Sequence, residues 1–148
     1  MSKSPLHSHL ASTLYDLLRD SLDRAWWVRK EEPISMKDSV PEPDLSVVRG
    51  RPSNYLRSHP STAALVVEIA VSSPTLDREN ISLYAEVGVE EYWIILGREQ
   101  RVDVYSHLEA GQYGQKTVYS RDQVLIPSPL PSMSIDLTDL FAAPKADA

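Results

Sequence analysis

The chain has 148 residues, of which 42% are hydrophobic and 24% charged, and it has no cysteine. That length suits one domain with a real core, and the missing cysteines exclude a disulfide framework and thiolate zinc sites. Fifteen Lys and Arg against 21 Asp and Glu leave a net charge of −6, which argues against a protein that coats nucleic acid through excess cations.

No apolar run approaches the roughly 20 residues needed to span a bilayer, and Met1 to His7 holds no apolar signal core. A cytoplasmic location is the resulting expectation. Ser4-Pro5 reads as a helix start, Ser as cap and Pro in the first turn. Leu6, Leu10, Leu14, Leu17, Leu18, Leu22 and Ala25 recur at helical spacing, which predicts a helix over about 5–25. Trp26 to Glu31 suits a strand, and Pro33 puts its end at a sheet edge or turn. Residues 35–43 read as a turn. Asp44 to Val48 alternates like a strand, and 49–62 is a polar loop.

Leu65 to Val71 is nearly all apolar, as expected of a central strand covered on both faces. Ser72-Ser73-Pro74 starts a second helix, with Ile81, Tyr84, Ala85 and Val87 as its apolar stripe and Gly88 at its end. Tyr92 to Leu96 and Val102 to Ser106 form a predicted hairpin around a turn at 98–101, whose edges offer a surface for self-association. Lys116 to Tyr119 and Val124 to Ile126 are short strands. Ile135 to Phe141 is a terminal strand and helical turn, and 142–148 a frayed tail. Helix, strands, helix, strands is the order of an α/β or α+β fold.

Glu68 interrupts the most apolar strand in the chain. An uncompensated buried carboxylate costs several kcal/mol, an order-of-magnitude figure, so it protonates or finds a partner. That partner is an Arg or Lys from a neighbouring element, or a divalent cation. Asp44 opens the preceding strand and, if the two strands are neighbours, approaches Glu68; on its own it reads equally as a turn residue. Two carboxylates that close repel, and Mg²⁺ or Mn²⁺ relieves the repulsion. Between Leu45 and Val67 there is no acid, but Arg49, Arg51, Arg57 and His59 are present. This local cationic stretch either contacts phosphate or pairs with acids elsewhere. His7 and His9 diverge on a helix and cannot chelate one metal together; either can approach the site from that helix, with surface exposure the expectation, and Glu31 reads as a solvated edge charge or an outer-sphere acid. Tyr84, Tyr92 and Trp93 read as core. No Gly-rich phosphate loop, nucleophile elbow or HExxH motif is present.

Pro43-Asp44, then Val67-Glu68-Ile69, then Asp77-Arg78 and the run Leu83-Tyr84-Ala85-Glu86-Val87-Gly88-Val89-Glu90-Glu91-Tyr92-Trp93-Ile94, together resemble the Uma-two family. Its members are described as restriction endonucleases of the PD-(D/E)xK nuclease superfamily. The resemblance spans Pro5 to Phe141, essentially one domain over 1–148. It implies a restriction-endonuclease-like fold, a mixed central sheet flanked by helices, acting on DNA. It also implies Mg²⁺ or Mn²⁺ held by Asp44 and Glu68, with the carbonyl of Ile69 as a further ligand. The superfamily's lysine lies two residues after the Glu, where this chain has Ala70, or on the following helix, where it has Asn80. Asn80 can hydrogen-bond a water but carries no charge; Arg78 and Lys30 are the candidate substitutes. Three readings follow: a metal-dependent DNA endonuclease, a non-catalytic member that acts by binding, and a homo-oligomeric scaffold.

Overall fold

The computed structural model describes residues 3–71 and 78–142. Helix α1 runs from Pro5 to Ser21. Ser4 caps it, its side chain accepting the His7 N–H at 3.1 Å. Leu10, Ala11, Leu14 and Leu18 form its buried face. The helix ends four residues before its predicted end. Leu22 is already extended and gives its N–H to Arg19, and the Asp23 carboxylate accepts the Ala25 N–H, so the chain turns into the next strand. Leu22 stays in the apolar stripe through packing rather than through helix.

Six strands form one sheet in sequential order. They are β1 (Trp26–Lys30), β2 (Leu45–Arg49), β3 (Leu65–Ala70), β4 (Glu91–Leu96), β5 (Arg101–Glu109) and β6 (Gln112–Ser120). Only β3 and β4 run parallel, and their crossover carries α2 (Arg78–Glu86). The start of that helix predicted at 72–74 lies outside the described residues. A small pair, β7 (Val124–Leu125) with β8 (Ile135–Asp136), leads to the short helix α3 (Leu137–Phe141). Leu65, Val67, Ile69, Trp93 and Ile95 face α1 and α3, whereas Val66, Tyr84, Tyr92 and Leu96 build the core under α2. This is the mixed sheet flanked by helices that the restriction-endonuclease-like expectation required.

Three boundaries differ from the sequence expectation for local reasons. Glu31 takes a positive φ of 57°, which stops β1 at Lys30. Asp44 stands just before β2 rather than within it. Strands β5 and β6 extend well past the predicted segments, because a two-residue turn closes them: Ala110 and Gly111 both take positive φ, 52° and 74°, as a primed hairpin turn demands. The predicted hairpin of β4 and β5 is therefore interior, flanked by β3 and β6, and the free sheet edges are β1 and β6. Gly88 ends α2's last turn at φ +85°, in the left-handed region glycine favours.

Ala110 is an L-residue with a Cβ in that left-handed region. Replacing it with Asn, which enters this region readily and precedes Gly111 here, is expected to raise stability by about 0.5–1 kcal/mol. Urea unfolding checks this; an unchanged or lower midpoint for Ala110→Asn contradicts it.

Candidate active site: an interlocked acid pair

The last β2–β3 ladder pair at this end is Leu45 with Val67, so Asp44 and Glu68 are the next residues on the two antiparallel chains. There the backbone ladder gives way to side chains. Asp44 Oδ2 accepts the Ile69 N–H at 2.7 Å. Glu68 in turn accepts the Asp44 N–H. Each acid thus holds the other's segment, and the two carboxylates are locked at the C-terminal rim of the central strand.

Helix α1 closes one side of this rim. His7 Nε2 lies 3.3 Å from Asp44 Oδ1, and both side chains are nearly buried. Helix α2 closes the other side. Tyr84 reaches Glu68 Oε1 through a long hydrogen bond of 3.5 Å. Asn80 lies one helical turn before Tyr84, half-buried, and so shares its face of α2. Burial, then the Asp44 charge, pushes the Glu68 carboxyl up to about 8, against which the hydrogen bonds and distant Lys3 act only in part. Burial and the Glu68 charge likewise hold the Tyr84 hydroxyl protonated.

Beside Asp44 opens a cleft of about 230 Å³, lined by Lys3, His7, Ser8, Lys30, Glu31 and Asp44 among others. Lys30 ends β1 and pairs in register with Leu45, and its Nζ lies 3.3 Å from Ser12 Oγ. Lys3 pairs with Glu31. The cations of this cleft are thus Lys30 of β1 and Lys3, ahead of α1 and paired with Glu31, and none stands at Ala70 of β3 or Asn80 of α2.

The arginines of the 49–62 loop are not brought to the acid pair. Arg49 ends β2, four residues and about 13 Å along the strand from Leu45. Its guanidinium stacks on Trp26 at 4.4 Å, and Arg51 Nη1 donates to the Trp26 carbonyl at 2.9 Å. Arg57 is exposed on the loop. His7 was expected at the surface and instead abuts Asp44. The signal was present: His7, Ala11, Leu14 and Leu18 fall on one helical face. Glu31 is half-exposed, as a rim charge should be. Tyr84, Tyr92 and Trp93 are core residues, and Tyr84 also reaches the site. Sequence reasoning passed over the buried acids Glu91 and Asp103. Glu91 accepts from Trp93 Nε1 at 2.7 Å and from the Ser128 N–H. Asp103 lies between Arg101 and Lys116.

Among the described residues no group of three or more His, Asp or Glu side chains could hold a metal ion. The donors that do meet here are nevertheless hard oxygens, each carboxylate oxygen keeping a lone pair beyond its present bond. A carboxylate raised by burial and then by its acidic neighbour is a state that a divalent cation would relieve. The residues fit such an ion.

The mixed six-stranded sheet flanked by helices is a nuclease-like fold. The family model described as "Putative restriction endonuclease", Uma2, matches residues 1–138, and the chain belongs to that family. A crystal structure described as a putative nuclease belonging to DUF820, from Anabaena variabilis, superposes with a TM-score of 0.78 at 20% identity. The match covers 96% of this chain and 83% of that one. No match was found among curated proteins.

The raised Glu68 carboxyl makes stability depend on pH. Between the unfolded value, 4.5, and the folded one, about 8, the folded state binds the extra proton. Its contribution is full below that window and is lost as pH rises through it, by on the order of a few kcal/mol. In metal-free buffer, Glu68→Gln is expected to flatten this fall between pH 5 and 8.5. Parallel pH profiles for the variant and wild type, measured by urea unfolding, contradict the assignment.

Proposed function

We propose that the Asp44–Glu68 pair is the centre of a divalent-metal-dependent endonuclease acting on DNA. The observation that carries this reading is the reciprocal lock that holds two carboxylates together at the rim of β3, where they repel each other. Asp44, Glu68 and the carbonyl of Ile69 would hold Mg²⁺ or Mn²⁺, which when bound supplies Lewis acidity toward a phosphodiester. Asp44 is oriented by the Ile69 N–H and by His7, and Glu68 by the Asp44 N–H and Tyr84. Lys30 and Lys3 set positive charge in the adjoining cleft, where the charge developing on a phosphate in the transition state needs it. Asn80 offers an amide to a water on the α2 side. Arg49 and Arg51, at the Trp26 end of β1, stand away from the scissile phosphate. Self-association through a sheet edge would use β1 or β6.

A second reading, a non-catalytic member that binds without cutting, is favoured by one observation: Ala70 and Asn80 stand where the resemblance places lysine.

Incubation with supercoiled plasmid and Mn²⁺ tests the first reading. Wild type is expected to nick and linearise DNA, and Asp44→Ala to be at least a hundredfold slower. Equal nicking by both assigns the activity to a contaminant. Asn80→Lys is expected to raise the rate. Inactive wild type with active Asn80→Lys establishes the second reading instead.

A further inference from the structure

Trp26, Val28 and Lys30 alternate onto the α1 side of the edge strand β1, and Val28 is buried beneath the helix. The seam between α1 and β1 opens at both ends. At the Lys30 end lies the cleft that Asp44 lines. At the Trp26 end is a second cleft of about 210 Å³, lined among others by Tyr15, Arg19, Asp23, Arg24, Trp26 and Arg51. Arg19, Arg24 and Arg51 meet Asp23 there, with Asp16 and Asp20 each 3.4 Å from Arg19 on the helix, in a protein whose net charge is −6. Rings and guanidiniums are interleaved here: Arg19 lies 5.6 Å from the Tyr15 ring centroid, and Arg49, the register partner of Trp26 outside the cleft's lining, lies 4.4 Å from that of Trp26.

Aromatic faces interleaved with guanidiniums are what an unpaired nucleotide needs, since the ring stacks on a base and the cations meet its phosphate. A duplex keeps its bases stacked on one another and cannot present one to a pocket without unpairing it. Trp26 and Lys30 are four residues apart on one face of the strand, about 13 Å, a distance that an extended strand covers in a few nucleotides.

We propose that the cleft at Trp26 binds an unpaired nucleotide of a single-stranded nucleic acid, whose backbone follows the α1–β1 seam to Asp44. This rests on the nuclease reading of the acid pair and adds its substrate class: a strand with a single-stranded portion.

The test is fluorescence anisotropy of a labelled twelve-residue oligothymidylate and of a duplex of equal length, in EDTA so that no cleavage intervenes. Wild type is expected to bind the single strand at least tenfold more tightly than the duplex. Trp26→Ala and the exposed Arg24→Glu should each weaken it about tenfold or more, and Trp26→Phe should restore most of the loss. Arg121→Glu, beyond β6 at the far edge of the sheet, changes net charge equally and should leave affinity unchanged. Unaltered affinity in Trp26→Ala and Arg24→Glu, equal losses in Arg24→Glu and Arg121→Glu, or a preference for duplex overturns the proposal. Oligonucleotide binding that depends on Trp26, in a wild type that cuts no DNA, would refute the nuclease reading and leave the nucleotide cleft standing. Plasmid cleavage that depends on Asp44, without single-strand binding, would do the reverse.

Discussion

The site depends on the exchange of backbone for side chain at the end of the β2–β3 ladder. One step beyond Leu45 and Val67, the Ile69 N–H is satisfied by the Asp44 carboxylate and the Asp44 N–H by Glu68. A buried N–H left unpaired is costly, so these bonds hold the chains in register as firmly as a ladder rung. The same bonds force two acids together in a place shielded from water. The fold is stabilised by the hydrogen bonds and strained electrostatically by the charges. That strain is the basis of the proposal that the pair takes a cation.

The surroundings divide the work by face. The α1 side brings His7 against Asp44 and sets Lys3 and Lys30 in the adjoining cleft. The α2 side brings Tyr84 against Glu68 and carries no cation at Asn80. A lysine on β3 or α2 would sit among groups already desolvated. Lys30 ends an edge strand, keeps its ammonium in solvent and needs only its stem to reach the cleft, at a smaller desolvation cost.

Several of these features could be read before folding. The apolar run around Glu68 announced a central strand with one acid out of place, and Ser4-Pro5 announced the start of α1. Features set by tertiary contacts could not be read. Helix α1 stops at Ser21 because the chain must turn into β1, though the leucine spacing continues. Strand β6 is polar along most of its length because it is an edge, and its extent is decided by the Ala110–Gly111 turn rather than by periodicity. The arginines of the 49–62 loop looked like phosphate contacts near Glu68 because they are near in sequence. Antiparallel pairing carries Arg49 to the opposite end of β2, onto Trp26. His7 reads as a surface residue that can also approach the site from the first helix, and its spacing from Ala11 and Leu14 places it on the buried face.

In the proposed function, Asp44 and Glu68 form one cation-binding unit in which a proton occupies the place of the ion. Calorimetric titration with Mn²⁺ at pH 6.5, in two buffers of different ionisation enthalpy, tests this most directly. At that pH Glu68, raised to about 8, still holds its proton. Binding should therefore release close to one proton per ion, seen as a buffer-dependent heat that disappears in Glu68→Gln. No binding by wild type, or the same affinity in Asp44→Asn as in wild type, would contradict the account.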